Sequence, residues 1–320
     1  MVKVVRELVV AVALGILNTA LVALSILGNV GGTSFGTAFQ TIAFWILSLI
    51  PLFVSGLGFG LRSALISVAT GVLVAAIAID TGFALAYAVI AGLPVVILVR
   101  QALLWRESDG TRFWYPVDYL LIWWAGICIG LTGLAIGLLY WDEALRQGMV
   151  GAFDQMLAQM QEIQGVTPAL TGEEFVSLMP QFLGPIWGMF ILLSGCLAQG
   201  LLARFNKNIR PTPKLTKMAL PNWLALAFIA ATALSVLLDT PLPLLGAVVI
   251  TLETLFFLQG MAVIHVVSHR WNGRPFILGA VYILMIITLW LVLLVAILGL
   301  MENWIGFRRR FAVTTKLEED

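Results

Sequence analysis

Apolar segments separated by short polar turns follow one another along almost the whole chain. A helix rises about 1.5 Å per residue, so roughly 17–25 apolar residues cross the ~30 Å hydrocarbon layer of a bilayer. The pattern therefore predicts an all-α, polytopic transmembrane helical bundle of eight to nine spans. The nine predicted spans cover about 8–28, 38–55, 61–79, 83–104, 117–140, 182–203, 222–238, 244–269 and 276–300.

The connections at the N-terminal side carry glycine and aromatic signals. Residues 28–37 form a Gly-rich loop, and 51–62 read as a tight Gly-rich turn with one Arg. Residues 105–116 combine charges with an aromatic cluster suited to the membrane interface. No small-residue cleavage site follows the first apolar run, so we interpret it as a retained span. At the other end, 311–320 read as a flexible polar tail.

Residues 141–181 interrupt the pattern of spans. Their apolar positions step by three or four residues, which is typical of an amphipathic helix. Thr171 and Glu174 have the spacing of a capping box that opens a second short helix. Six acids against Arg146 alone make this insert acidic. We expect a helical hairpin on the outer surface, with a cap over a binding site as the alternative. The apolar positions are Leu145, Met149, Ala152, Met156, Met160 and Ile163.

Composition agrees with a bilayer as the solvent for most of the chain. Of 320 residues, 61% are hydrophobic and 11% are charged, whereas soluble domains carry about a quarter charged residues. No basic domain or aromatic–basic face predicts a nucleic-acid partner. We interpret residues 1–320 as a single transmembrane domain, with the lipid bilayer as its first predicted partner.

The distribution of Lys and Arg predicts the orientation, because cytoplasmic loops carry an excess of both. Residues 204–221 contain five of them and no acid, which places this loop and the N-terminus in the cytoplasm. Nine crossings put 13 basic residues inside and five outside, four of them in the C-terminal tail. Eight crossings would put both termini inside and give 17 against one. No Gly or Pro between 280 and 298 marks where a span would turn back.

The span at 244–269 carries an acid near its middle. Glu253 lies roughly 14 Å along the helix from Leu244, close to the bilayer midplane. A carboxylate is costly there, so we expect it to face protein or water rather than lipid. Gly246, Glu253 and Gly260 repeat every seven residues and share one face. That face should let a neighbouring helix approach closely.

Two interpretations of Glu253 remain open. It is either a structural acid that pairs with Asn18, Gln199 or His265, or an acid that binds a ligand or a proton. The candidate ligand-binding residues are Glu253, Asn18, Gln259 and His265.

Catalytic and metal-binding motifs are missing from the sequence. His265 and His269 share a helix face, but a metal site needs further ligands and none is obvious nearby. Cys128 and Cys196 lie inside apolar runs and are interpreted as small buried hydrophobes. We therefore predict no cofactor, no metal and no enzymatic activity. A membrane-embedded enzyme is kept as a third hypothesis, because no second catalytic group is evident beside Glu253.

Two stretches resemble the YybS-like family of bacterial multi-pass membrane proteins of unknown function. They are ETLFFLQGMAVIH at 253–265 and GLMENWIGFRRR at 299–310. Spans 1–4, with the loop 28–37 and the GFGLR turn at 58–62, resemble more loosely the S-components of energy-coupling-factor vitamin transporters. The hydropathy is also similar to that of the cell-shape protein MreD. These resemblances imply a bacterial inner (plasma) membrane location and a small-molecule site near the Gly-rich loop.

The leading functional hypothesis is small-molecule binding or transport in a cavity lined by spans 1 and 8. The rival is a non-transporting scaffold that packs against partner subunits in cell-envelope or division assembly. A binder predicts an enclosed polar cavity that reaches Glu253. A scaffold predicts a solid core with an exposed face of small residues.

Overall fold

A computed structural model describes residues 2–27, 35–164, 170–238, 242–270, 273–288 and 290–311. The predicted all-α class is confirmed, with one small β-hairpin added. Most of the predicted Gly-rich loop and of the polar tail lie outside these residues. By contact, the chain divides into two compact units, which comprise 1–127 with 186–213 and 128–185 with 214–320.

Helices make up most of the first unit. The predicted turn at 51–62 is wrong over most of its length, because the second helix runs through Pro51 to Phe59. Gly60, with φ +98°, makes the turn alone, in a backbone region that residues with a Cβ rarely adopt. The helices are α1 (Val2–Leu27), α2 (Phe35–Phe59), α3 (Leu61–Ala78), α4 (Thr81–Tyr87), α5 (Leu93–Ala102), the start of α6 (Val117–Trp141) and most of α9 (Pro180–Arg204), with a π-helical turn at Ala88–Gly92.

The predicted charged loop at 105–116 forms an antiparallel hairpin of β1 (Trp105–Ser108) and β2 (Thr111–Trp114). The guanidinium of Arg112 stacks 4.3 Å from the ring centroid of Trp105. Cation–π contacts of this kind hold the exposed hairpin together.

Small side chains allow α1 and α3 to pack closely. A Cβ added to Gly15 would overlap the backbone oxygen of Ser67. The Ser67 hydroxyl donates to the carbonyl of Ala11 at 2.8 Å, and it lies 2.6 Å from the Ser55 hydroxyl, with which it shares a second hydrogen bond. Close approach with interhelical hydrogen bonds is how helices associate where no water is present to drive them together.

The second unit contains the insert and the C-terminal helices. It holds the end of α6, α7 (Glu143–Gln164), α8 (Gly172–Leu178), the start of α9, α10 (Asn222–Leu237), α11 (Pro243–Val267), α12 (Arg274–Ile287), α13 (Trp290–Ile305) and α14 (Phe307–Phe311), with 3₁₀ turns at Leu215–Lys217 and Ser268–Arg270.

Seven helices within the described residues are long and apolar enough to cross a bilayer. They correspond to the first six predicted spans and to the eighth. The remaining apolar helices, α10, α12 and α13, are shorter. At 16 residues each, α10 and α13 extend roughly 24 Å, below the thickness of the hydrocarbon layer.

The predicted continuous ninth span over 276–300 is wrong. Helix α12 ends at Ile287, Thr288 is extended with φ −125° and ψ 97°, and α13 begins at Trp290. The break has no Gly or Pro, so tertiary packing must favour it over a continuous helix. The packing of α13 on α11 is correspondingly tight: a Cβ added to Gly299 would overlap the backbone oxygen of Phe256.

Helices α10 and α11 pack against each other in opposite directions. Helix α10 ends at Leu237 and α11 begins at Pro243, and the rings of Phe228 and Phe256 lie 5.4 Å apart between them. Just before α10, the backbone N–H of Leu220 donates to Oε1 of Gln259 at 2.8 Å. The segment 215–222 therefore lies beside the C-terminal half of α11.

Helix α13 ends beside the same segment. The Nδ2 atom of Asn303 donates to the carbonyl of Leu220 at 3.0 Å. Just beyond α13, Nη1 of Arg308 donates to the carbonyls of Thr216, at 2.9 Å, and Met218. Helix α12 follows directly after the C-terminal end of α11. Helix α13 then ends beside that same end of α11, so the chain runs away from it along α12 and comes back along α13.

Candidate functional site

The insert folds as the predicted helical hairpin of α7 and α8. The predicted capping box is confirmed: the Thr171 hydroxyl accepts from the Glu174 backbone N–H at 3.2 Å, and Glu174 accepts from the Thr171 N–H at 2.8 Å. The latter bond and the Thr171 hydroxyl lower the pKa of Glu174. Between the two helices, the rings of Phe153 and Phe175 lie 4.3 Å apart.

The predicted apolar stripe of α7 is only partly covered. Leu145 and Met156 are 43% and 41% exposed, whereas Phe153, which lies off that stripe, makes the contact with α8. Ala152 is also exposed and Met149 is half-buried. The side chains of Met160 and Ile163 lie outside the described residues.

A cavity of about 390 Å³ lies where the insert meets the ends of the neighbouring helices. This volume is in the range of small-molecule sites, which are mostly apolar with a few fixed polar groups. Five elements contribute: the last turns of α6, the first turn of α7, α8, and the starts of α9 and α11. Its lining residues are Ile136, Leu139, Tyr140, Glu143, Arg146, Glu173, Val176, Ser177, Pro180 and Pro243.

An arginine holds the polar wall of the cavity. Nε and Nη2 of Arg146 donate to the two oxygens of Glu143 at 2.9 and 2.7 Å, and Nη1 donates to Glu173 on α8. Bidentate pairs of this kind fix geometry as well as charge. Hydrogen bonds from Arg146 and then Gln147 lower the pKa of Glu143 to about 2. The same carboxylates raise the pKa of Arg146.

The remaining cavity surface is apolar. Leu139 and Val176 are buried. Pro180 and Pro243, the first residues of α9 and α11, also line the cavity. Tyr140 stands at the rim, 84% exposed. Two carboxylates against one guanidinium leave the polar wall with one net negative charge. Such a surface suits a molecule with an apolar body and a positive group.

Of the four predicted site residues, Asn18 belongs to the first unit and the other three to the second. Asn18 is fully buried. Its Nδ2 donates to the carbonyl of Ser48, and its Oδ1 accepts from the Tyr87 hydroxyl. Both ends of the amide are therefore satisfied by helices of its own unit.

Gln259 joins three segments of the second unit. Its Oε1 accepts from Leu220 at 2.8 Å, while its Nε2 donates to the carbonyl of Gly299 at 2.7 Å and to Oδ1 of Asn303. Both the oxygen and the nitrogen of this buried amide therefore form hydrogen bonds with other protein atoms. The arrangement fixes α11 against α13 and against the start of α10.

His265 and Glu253 differ in their environments. Nε2 of His265 lies 2.9 Å from the Tyr282 hydroxyl on α12. Glu253 is half-buried and makes no hydrogen bond or ion pair within the described part of the chain. It is also not part of the lining of the 390 Å³ cavity.

The three partners expected for Glu253 form their described hydrogen bonds with other residues, and pairing of Glu253 with Asn18 or Gln199, which belong to the first unit, stays a prediction. Asn18 is bonded to Ser48 and Tyr87, and His265 to Tyr282. The third, Gln199, donates to the carbonyl of Arg210 at 2.9 Å.

The close approach expected on the Gly246–Gly260 face is found at both glycines. A Cβ on Gly246 would overlap the side chain of Gln181, and one on Gly260 would overlap the carbonyl of Val295. Helix α11 is thus flanked at both positions, as the seven-residue spacing predicted.

The sequence did not predict the contacts made by Glu302, Asn303 and Arg308. Glu302 and Arg308 form a buried ion pair, and Asn303 and Arg308 bind the segment before α10. Glu302 and Arg308 are six positions apart in the sequence, and Gly306 lies between them. An acid and a base on either side of a glycine, at the end of an apolar run, is the signal that could have identified them.

The seven long apolar helices, together with the shorter ones, define a multi-pass helical membrane protein that associates with a lipid bilayer. Residues 22–302 match the DUF2232 family of predicted membrane proteins, and the chain belongs to this family. No curated protein matches the chain, and no solved structure does. The finer resemblances to YybS-like proteins, S-components and MreD stay predictions.

Proposed function

We propose that this protein binds a small amphipathic molecule in the cavity between the α7–α8 insert and the helix ends beneath it. One observation carries the proposal: a largely apolar cavity of about 390 Å³ is bordered by Arg146 and its two partners Glu143 and Glu173, called here the Arg146 clamp. The insert thus acts as a cap over a binding site, which was the alternative to a hairpin that only lies on the outer surface. The S-component resemblance extends the proposal from binding to uptake of the bound molecule.

The ligand class follows from the charges around the cavity. Glu143 and Glu173 exceed Arg146 by one charge in the lining, and the insert as a whole carries six acids against one Arg. A field of one sign concentrates ions of the other sign in a cleft. The proposed ligand is therefore an organic cation, such as an amine or quaternary ammonium group on an apolar body.

The proposed topology has eight crossings, with the N-terminus and the C-terminus in the cytoplasm and the insert outside. The support comes from Arg308, which bonds to the backbone of Thr216 and Met218. Because Arg308 contacts this basic segment, it lies on the same side of the membrane as the segment. In this topology α12 and α13 dip into the bilayer as a pair, and 17 basic residues face inward against one outward. The membrane is the bacterial inner membrane.

A titration with decyltrimethylammonium tests the site. Purified protein should bind this cation more tightly than decanol or decanoate of the same chain length. Ser177→Trp fills the cavity and should abolish binding, whereas Gln155→Trp, on an exposed position of α7, should keep it. Equal affinity for the three probes, or unchanged binding by Ser177→Trp, contradicts the proposal.

A further variant separates this cavity from the site predicted around Glu253. Glu253→Gln lies outside the cavity lining and should leave the affinity for decyltrimethylammonium unchanged. If Glu253→Gln lost binding of decyltrimethylammonium while Ser177→Trp still bound it, the binding site would lie near the middle of α11 and not in the cavity.

The scaffold hypothesis is the second candidate, favoured by one face of α6. Four glycines there are spaced by four, three and four residues, and Cβ atoms added to them would meet no described atom within 4 Å. Such a face suits close contact with a helix of another protein. Cross-linking from this face in cells tests it: capture of a second membrane protein would support the scaffold. The glycines are Gly126, Gly130, Gly133 and Gly137.

A further inference from the structure

Two exposed basic segments lie together although about 90 positions separate them in the sequence. Lys214 and Lys217 flank the 3₁₀ turn before α10, and Arg309 and Arg310 lie on α14. We propose that these four side chains, called here the basic patch, form one binding surface for the headgroups of anionic phospholipids. This inference is independent of the cavity under the insert.

Arg308 brings the two halves of the basic patch together. Its Nη1 donates to the carbonyls of Thr216 and Met218, so α14 lies against the turn that carries the lysines. Nε of Arg308 pairs with Glu302 at 2.9 Å. The one acid in this contact is therefore buried and neutralised by Arg308, and it does not offset the charges of the patch.

The four cations of the basic patch remain unpaired and exposed. All four side chains are exposed, and none forms an ion pair with another described residue. Four like charges gathered on one small surface repel one another unless an anion binds between them. The surface therefore attracts a partner of high negative charge density.

The position of the basic patch favours a lipid over a soluble anion. It follows the apolar helix α13 directly, and Trp304, in the last turn of that helix, is 53% exposed. Tryptophans in such positions lie at the level of the headgroups. Leu215, between the two lysines, is also 50% exposed and can enter the same layer. Clusters of four or more Lys and Arg next to a membrane-embedded helix are typical of anionic-lipid binding.

Native mass spectrometry of the detergent-purified protein tests the basic patch. Phosphatidylglycerol should bind more tightly than phosphatidylcholine, with the preference falling as salt rises. The variant Lys214→Gln/Lys217→Gln/Arg309→Gln/Arg310→Gln should lose at least about tenfold of this preference, because each cation near an anionic surface contributes about fivefold. The double variants Lys214→Gln/Lys217→Gln and Arg309→Gln/Arg310→Gln should each lose a smaller part of the preference. They provide the test if the fourfold variant fails to fold.

A control variant removes four exposed arginines of the first unit that lie outside the β-hairpin, as Arg6→Gln/Arg62→Gln/Arg100→Gln/Arg204→Gln. It makes the same change in net charge and should keep the preference. The proposal is overturned if the wild-type protein does not distinguish the two lipids or if the control loses as much as the patch variant. Equally tight binding of glycerol 3-phosphate alone would also overturn it, since a soluble anion site needs no membrane surface.

Discussion

Arg308 and Glu302 form a buried ion pair at the end of the last apolar helix. The Nε atom of Arg308 lies 2.9 Å from Oε1 of Glu302, and the two side chains are 13% and 6% exposed. Gly306, with φ +66°, reverses the chain between them, which a residue with a Cβ rarely allows. The Nη1 atom of the guanidinium donates to two carbonyls of the segment before α10. This pair therefore ties the C-terminus to a distant loop.

Removing one charge of this pair should destabilise the protein strongly. Arg308→Gln leaves the Glu302 carboxylate buried without a partner, which costs about 3–5 kcal/mol. The double variant Arg308→Gln/Glu302→Gln should cost clearly less, because no unpaired charge remains. Thermal unfolding in detergent measures both, with the exposed Arg309→Gln as a control near zero. Equal stability of the single and double variants would show that the pair is not buried as described.

The contact between α11 and α13 should depend on its glycines. Gly299→Ala places a Cβ on the carbonyl of Phe256, and such overpacking costs about 1–3 kcal/mol. Gly279→Ala on α12 has no neighbour within 4 Å and should be neutral or slightly stabilising. Unfolding temperatures of the two variants in the same detergent provide the comparison. A Gly299→Ala protein as stable as Gly279→Ala would contradict the close packing.

The sequence predicted those features that depend on neighbouring residues. The capping box of Thr171 and Glu174 and the hairpin of the insert follow from local spacing, and both are present. The break after Ile287 has no local signal, since only the packing of α13 on α11 favours it. Likewise, the contact of Arg146 with Glu173 spans 27 positions and that of Arg308 with Thr216 spans 92. Contacts at such separations become visible only after the chain has folded.

The Arg146 clamp should weaken in acid. Because the folded-state pKa of Glu143 is lowered to about 2, the stability that its pairing contributes is fully present above the ordinary value of 4.5 and is lost as the pH falls towards 2. Hydrogen exchange of the first turn of α7 should therefore be slow at pH 7 and faster at pH 3, after correction for intrinsic rates. Glu143→Gln should exchange fast at both pH values. A protection that does not change with pH in the wild-type protein would contradict the clamp.

Cysteine labelling in intact cells tests the proposed topology. After replacement of Cys128 and Cys196, a cysteine at position 156 should react with a membrane-impermeant reagent. Cysteines at 207 and 310 should react only after permeabilisation, because both positions are proposed to be cytoplasmic. Labelling at 310 from outside, with 207 protected, would instead require nine crossings. Labelling at 207 from outside would invert the orientation.

Native mass spectrometry of the protein purified from its own membrane tests the central claim most directly. A small cationic molecule should remain bound to the wild-type protein and to Gln155→Trp. It should be absent from Ser177→Trp, in which the indole occupies the cavity bordered by Arg146 and Val176. The same bound mass in Ser177→Trp, or a bound molecule that is anionic, would contradict a cation site beneath the insert.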